Sequence, residues 1–383
     1  MRKVRYNIGM RMTFKYRLSP TKAQRTKLDQ TLETCRQVYN RTLALRKESW
    51  EQEKKSLSLY DTNKLLTLWK ADNPEYSEVH SQVLQNVQER IDLAFKAFFR
   101  RLRANEKPGY PRFKGYGRYD SFTFKQSGFK LINDKLTLSK IGNVKINLHR
   151  PMEGAIRTLT IQRNRFGNWY ACFSCEVESS PLSVSSEVVG IDLGLTTFAT
   201  LSNGETIERE RWMKRDEKDL KRIQRKVSGL DKGTPERAKA IKALNHVHTR
   251  IKNRRNNFAH QESRKLVNRF GLIVFEKLDI DGMQQNGNGV INKGITDVAW
   301  SQFVAYTAYK AENAGRGVLQ VNPKGTTQEC SSCHSIVPKD LSVRVHDCPN
   351  CGLRISRDHN AALNILSRGL ATLRLDPVEA HAL

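Results

Sequence analysis

Val188-Val189-Gly190-Ile191-Asp192-Leu193-Gly194 is an apolar run with one carboxylate inside it and a glycine turn behind it. A short apolar run bounded by turn residues reads as a buried strand. Asp192 is costly there unless a cation or hydrogen bonds compensate. Outward from this stretch, Thr197–Leu201 forms a second strand, and Ser202-Asn203-Gly204 supplies an Asn-Gly hairpin turn. A further apolar strand, Leu272-Ile273-Val274-Phe275-Glu276, ends in a carboxylate. Asp358 stands in Arg357-Asp358-His359-Asn360-Ala361-Ala362, in the first turn of a helix that Ser356 caps.

Each of these acids has a plain structural reading. Asp192 could end its strand and accept loop amides, Glu276 could be an exposed strand terminus, and Asp358 could favour a helix N-terminus electrostatically. Their order is strand–Asp–hairpin, strand–Glu, helix–Asp, which is the order of an RNase H-like nuclease core. In such a core three carboxylates hold two divalent ions roughly 3.5–4 Å apart across a scissile phosphate. Hard oxygen donors favour magnesium or manganese. Asp279, Asp281 and Asp297 compete with them, but their contexts read as loop and helix cap.

Two Cys-x-x-Cys pairs, Cys330/Cys333 and Cys348/Cys351, precede Asp358. Four thiolates in two knuckles match the tetrahedral demand of one structural zinc. Cys330-Ser-Ser-Cys333-His334 also fits a c-type haem attachment, which leaves Cys348 and Cys351 unexplained. A disulfide pair needs an oxidising compartment. The N-terminal MRKVRYNIGMRMTF carries no continuous apolar segment, so no signal peptide is expected and the chain is expected in the cytoplasm. Cys172 and Cys175 lie three apart on an expected strand, pointing to opposite faces, and read as structural. Cys35 reads as a small core residue of a helix.

The chain has 383 residues, 66 Lys plus Arg against 39 Asp plus Glu, and a net charge of +27. That excess calls for a polyanion, and nucleic acid fits better than a membrane because the cations are spread through helices and strands. No apolar run approaches the ~18 residues of a membrane span. Met10–Leu18 alternates as a strand; Thr21-x-x-Gln24 opens a helical block that runs with breaks to Ala104. Gly109 to Gly117 is a basic, aromatic, glycine-rich loop. Strands are then expected at Ser121–Phe124, Lys135–Leu138, Val144–Leu148, Ile156–Arg163 and Trp169–Val177, forming a small barrel or sandwich with Met10–Leu18. Arg209–Lys226 and Arg237–Arg255 are basic helical arms with apolar seams, and a Gly/Asn/Gln-rich loop spans Gly282–Gly294.

Taken together, Gly190-Ile191-Asp192-Leu193-Gly194, Phe275-Glu276-Lys277-Leu278, Thr326-Thr327-Gln328 with the four cysteines, and Arg357-Asp358-His359-Asn360-Ala361-Ala362-x-Asn364-Ile365 resemble the TnpB family. Tyr16-Arg17-Leu18-x-Pro20 and Arg36-x-Val38-Tyr39-Asn40 extend the resemblance to the N-terminal part. TnpB proteins are insertion-sequence-encoded, RNA-guided nucleases related to type V CRISPR effectors. The resemblance implies an α+β multi-domain chain. A wedge-like β-barrel (1–18 and 105–182) would carry a helical recognition insertion (19–104). An α/β RNase H-like (RuvC) domain (187–323 and 354–383) would follow, with an inserted zinc-ribbon lobe (324–353).

The resemblance also implies the site and its partners. Asp192, Glu276 and Asp358 would be the catalytic triad and hold two magnesium or manganese ions; Cys330, Cys333, Cys348 and Cys351 would hold one zinc. The partners would be a guide (omega) RNA and double-stranded target DNA beside a short target-adjacent motif, with the protein nucleoid-associated and monomeric. Motif contacts would fall on Tyr60, Ser81, Gln82, Gln85, Lys125 and Gln126. Arg344 matches a basic position of the zinc lobe, either steering the substrate strand or simply solvated. A guide-directed repressor with a dead nuclease centre and a DNA-strand-transfer transposase are the rival readings.

Overall fold

The computed structural model describes residues 10–178, 180–208, 216–278, 299–340 and 342–375. Asp279, Asp281 and Asp297, the Gly282–Gly294 loop and the first residues of the Arg209–Lys226 arm lie outside the described residues. The chain divides into two compact units, Met1–Glu178 and Ser179–Leu383.

In the first unit, β1 (Met10–Ser19) buries Phe14, Tyr16 and Leu18 on alternate positions and pairs antiparallel with two later strands. A capping box at Thr21 and Gln24 then opens α1 (Lys22–Glu53), and the Gln24 amide donates to Asn143 O at 2.6 Å, fixing the helix to the sheet. Leu28, Leu32, Cys35, Val38 and Tyr39 form the buried stripe of α1. A second capping box, Ser58 with Asp61, opens α2 (Leu59–Asp72), and α3 (Ser81–Arg103) closes the helical block. Gln88 on α3 reaches Thr62 O of α2 at 2.7 Å, and Arg46 of α1 pairs with Asp92 of α3 at 3.3 Å.

Six strands follow: β2 (Ser121–Phe124), β3 (Phe129–Ile132), β4 (Lys135–Leu138), β5 (Gly142–Asn147), β6 (Ala155–Arg163) and β7 (Trp169–Val177). The sheet order is β2-β6-β7-β1-β5-β4-β3. Laid flat, seven strands would put the edges about 29 Å apart. Residues 125–128 alone join the two edge strands and reach only ~18 Å, so the sheet must curl toward closure. The rings of Phe124 and Phe129 meet across that seam at 6.2 Å. The pattern on β7 alternates strictly, burying Cys175 among the inward residues and leaving Cys172 on the other face. β3 carries no matching expectation from the sequence, because Lys130 interrupts an already short apolar run.

The second unit is built on a five-stranded sheet of β8 (Val188–Leu193), β9 (Ala199–Leu201), β10 (Thr206–Ile207), β11 (Leu272–Glu276) and β12 (Gly317–Val321). The order is β10-β9-β8-β11-β12; β8, β11 and β12 run parallel, β9 runs antiparallel to β8, and β10 pairs antiparallel with β9. Two helices, α4 (Glu217–Ser228) and α5 (Pro235–Arg269), form a hairpin whose seam holds Leu220, Val247 and Ile251. Asp216 anchors it through Arg250 at 2.7 Å and Arg254 at 2.8 Å. After α6 (Trp300–Ala314) and β12 come a small hairpin, β13 (Val345–Asp347) and β14 (Arg354–Ser356), and then α7 (Arg357–Leu375).

Strand alternation divides the core of this unit. Val189, Ile191, Ile273 and Phe275 pack against residues of α5 and α6, with Phe275 and Phe303 meeting edge to face at 5.9 Å. Leu272 and Val274 pack on the opposite face against Ile365, Leu366 and Leu370 of α7. Two glycines set the spacing there. A Cβ on Gly190 would lie 2.3 Å from Ala362 O, and one on Gly369 would lie 2.6 Å from a Val274 methyl. Gly190→Ala should therefore destabilise the protein by about 3 kcal/mol, an overpacking cost that backbone atoms cannot relieve. Gly109→Ala, which meets nothing within 4 Å, should cost far less. Urea unfolding of the two variants decides this, and equal midpoints would refute the close approach.

Candidate active site and metal-binding cysteines

The same alternation places the acids. On β8, Gly190 faces α7, so Asp192, two residues on, faces it too; on β11, Glu276 follows Leu272 and Val274 on that face. β8 and β11 are paired in parallel register through Ile191 and Phe275, so Asp192 and Glu276 each stand one residue beyond that pair, at the C-terminal strand ends. Asp358 belongs to the row 358, 362, 365, 369 of α7, the row whose other members press on the sheet.

The charges of Glu276 and Asp358 both act on Asp192. Asp192 and Glu276 are buried. Asp192 is held well above the ordinary aspartate range, first by loss of solvent, then by the charges of Glu276 and Asp358, with Arg357 opposing them. Burial pushes Glu276 up to about 7. Arg357 holds Asp358 Oδ1 with two nitrogens at 3.1 and 3.2 Å and donates to Val343 O at 3.1 Å. The Ser356 hydroxyl accepts from His359 N at 3.4 Å, as its capping role requires. Buried carboxylates at neighbouring strand ends, with only Arg357 opposing their charge, are suited to a hard divalent ion.

The four cysteines also converge. Their sulfurs all lie within 4.8 Å of one another, with Cys330–Cys351 at 3.6 Å and Cys333–Cys348 at 3.5 Å. A tetrahedral metal with ~2.3 Å metal–sulfur bonds requires sulfur–sulfur edges near ~3.8 Å, so the set fits a four-thiolate metal. These separations far exceed the ~2.05 Å of a disulfide. Convergence of both pairs also removes the case for a haem on Cys330 and Cys333 alone.

Sequence reasoning missed what joins this lobe to the acids. A second row of α7, at 360, 364 and 368, grips the segment that leads into the first knuckle. Asn360 donates to Glu329 O at 2.7 Å and accepts from Ser331 N at 2.9 Å. Asn364 donates to Thr326 O at 2.9 Å and Glu329 O at 2.7 Å. Arg368 reaches Asn322 O, Lys324 O and the Glu329 carboxylate, all within 2.9 Å. Polar residues four apart on an otherwise apolar helix face were the available signal.

In the first unit, the residues expected to read a motif are partly gathered. Gln82 Oε1 accepts from Gln126 N and Ser127 N at 3.1 Å, and Lys125 pairs with Glu89 at 2.6 Å, so the start of α3 is tied to the β2–β3 connection. Ser81 accepts from Lys70 at 2.8 Å, and Gln85 is exposed on the same helix. Tyr60 is exposed on α2 beneath Lys64; no described contact joins it to Gln82 or Gln126. In the second unit, Arg344 has an exposed side chain, and its carbonyl accepts from Arg357 N at 2.9 Å, beside the start of α7.

Burial of Glu276 has a measurable sign. Its folded-state value of about 7 exceeds the ordinary 4.5, so the protonated form is favoured by folding. That contribution is present below pH ~4.5 and is lost as pH rises through ~7. In chelator, Glu276→Gln should gain stability over the parent by on the order of 3 kcal/mol between those limits. Urea melts across this range test it; a pH-independent difference would show that Glu276 is solvated.

Three family descriptions match this chain: a Cas12f1-like TNB domain at residues 300–365, "Probable transposase" of the OrfB_IS605 type at 172–287, and a helix-turn-helix domain at 10–55. Residues 10–55 fold here as β1 and the single helix α1. A Streptomyces pristinaespiralis protein named "Putative RNA-guided DNA endonuclease" is 34% identical over 370 residues, spanning 94% of this chain and 90% of its own. InsQ of Escherichia coli K12, with the same description, is 30% identical over 94% of this chain and 92% of its own. Among solved structures, a Cas12f1–sgRNA–target DNA complex aligns with TM-score 0.58 and 14% identity over 88% of this chain and 81% of that one. The mini-RNA-guided endonuclease CRISPR-Cas_phi3 aligns with TM-score 0.52 and 11% identity over 94% and 92%. These last two speak to the fold alone, while the near full-length sequence matches establish that the chain belongs to the TnpB family of the IS605 transposable elements.

Proposed function

We propose that this chain is an RNA-guided DNA endonuclease that cuts target DNA beside a short adjacent motif, using Asp192, Glu276 and Asp358 as one metal-binding centre. The observation that carries the reading is that Asp192, buried at its strand end, feels the charges of both Glu276 and Asp358 on the α7 face of a mixed sheet. The sheet order, with three antiparallel strands followed by two parallel ones, supports a RuvC-type RNase H-like domain. The relatives named as RNA-guided DNA endonucleases support the substrate and the guide.

Magnesium or manganese bound as a pair would supply Lewis-acid stabilisation of the phosphate and a water nucleophile. The protein's own part is to hold the donors. Asp192 lies where both other acids act on it, which suits a ligand shared by two ions. Arg357 orients Asp358 through its two-nitrogen contact. The cysteine lobe would hold one structural zinc, and its attachment through Asn360 and Asn364 steadies the helix that carries Asp358. The excess of cations would track RNA and DNA phosphates while base pairing supplies sequence choice. The start of α3 and the β2–β3 connection are the best-supported readers of the motif. The reading puts the protein at the nucleoid; among the described residues no helix is long and apolar enough to cross a membrane.

Any one of Asp192→Ala, Glu276→Ala and Asp358→Ala should reduce cutting by at least about a thousandfold while guide and target binding persist. Replacing the guide segment of the bound RNA should redirect cutting to the new matched sequence. Cutting that ignores the guide, or survives RNase treatment, would leave a conventional metal nuclease. Strand transfer at element ends without RNA would identify a transposase, and RNA-directed binding without cutting a repressor.

Elemental analysis should find one zinc per chain. Cys348→Ser should lose it and lower the melting temperature, because binding free energy in such a lobe is folding free energy. A zinc-free protein with unchanged melting would exclude this role for the cysteines.

A further inference from the structure

We propose that the loop 107–118 and the adjoining end of α3 form a binding strip for an unpaired stretch of RNA. The inference rests on the RNA-guided reading above and adds where an unpaired part of that RNA is held. Aromatic residues recur at every third position of the loop, Tyr110, Phe113 and Tyr116, with Arg112 and Lys114 between them. These rings are not core residues: Tyr110 is 46% exposed, Phe113 55% and Tyr116 85%. Cations dominate the neighbourhood. From residue 100 to 118 there are seven, from Arg100 to Arg118, against the single acid Glu106.

The loop is held in place although it forms no helix or strand. Asn40 of α1 binds Lys114 from both sides, accepting from its N–H at 2.8 Å and donating to its carbonyl at 2.9 Å. Arg36 adds a bond to the same carbonyl at 3.1 Å. At one end of the strip, Tyr110 stands edge-on to Phe95 and Phe98, with centroids 5.6 and 5.4 Å away. At the other, Tyr116 rims a cavity of about 270 Å³ shared with Arg36, Tyr119 and Arg163. Asp29 and Glu33 also line that cavity, each paired with an arginine.

Exposed rings alternating with cations suit one kind of partner. Ring faces stack on bases that are free of a duplex, and the cations between them follow the phosphates. A second copy of this chain would bring the same cations against each other. A guide RNA is present throughout the life of the complex, whereas target DNA is transient. Three half-exposed or exposed rings therefore fit the RNA better.

The test uses the full-length protein with labelled oligouridine, the matching deoxyoligonucleotide and an RNA duplex. Phe113→Ala combined with Tyr116→Ala should weaken oligouridine binding by at least about tenfold at fixed salt, as loss of base stacking predicts. Duplex affinity and melting temperature should stay unchanged, and Phe113→Tyr with Tyr116→Phe should restore binding. Oligouridine affinity within twofold of the parent, or an equal loss on duplex RNA, overturns the proposal. A loss confined to the deoxyoligonucleotide also overturns it, by assigning the strip to a DNA strand. These readouts need no cleavage. If guide replacement fails to redirect cutting while the oligouridine loss is seen, the guided reading falls and the strip stands; the converse pair of results rejects the strip alone.

Discussion

The approach of α7 to the sheet is the constraint on which the second unit depends. Gly190 removes a side chain where the strand meets the Ala362 carbonyl, and Gly369 removes one where the helix meets Val274. Ala361, Ala362 and Ile365 are fully buried between them. A glycine inside a helix sacrifices roughly 1 kcal/mol of propensity, and here it lets the helix lie against the strands. With that distance set, the first turn of α7 must overlie the C-terminal ends of β8 and β11. The position of Asp358 is thus a packing result before it is a chemical one.

The acids oppose the stability that this packing supplies. Loss of solvent and like charge both disfavour ionised Asp192, and burial disfavours ionised Glu276. Arg357 relieves only part of this, its charge acting on Asp192 while its side chain pairs with Asp358. A site whose acids are disfavoured in their ionised form must be held together by its surroundings, and the surroundings are two rows of one helix. One row presses on the sheet; the other, Asn360, Asn364 and Arg368, grips the segment that feeds the first cysteine knuckle. A fault in the lobe is therefore passed to the acids through rigid helix geometry.

Much of the local structure was legible in the sequence because it follows from period and capping. Thr21 with Gln24, the alternation on β1 and β7, the two apolar strands ending near acids and the Ser356 cap all have short-range causes. The cysteine spacing was equally direct, since knuckles are local. What sequence could not show is set by partners distant along the chain. The role of Gly190 depends on Ala362, and the role of Asn364 on Thr326. β3 was hidden because Lys130 breaks its pattern, and its pairing with β4 is what defines it. Strand alternation could have shown that Asp192 and Glu276 share a face only once the register of β8 against β11 was known.

The order of the elements along the chain also bears on when the acidic centre can exist. Asp192 comes from the first strand of its sheet, Glu276 follows both basic helices, and Asp358 arrives on α7 after the whole cysteine lobe. A chain still leaving the ribosome folds from its N-terminal side, so the sheet stays open on its α7 face until that helix has been made. During synthesis the emerging polypeptide already carries its basic helices while the three acids are still apart. On the reading proposed above, the cell meets the protein first as a nucleic-acid binder, and as a nuclease only after α7 has docked.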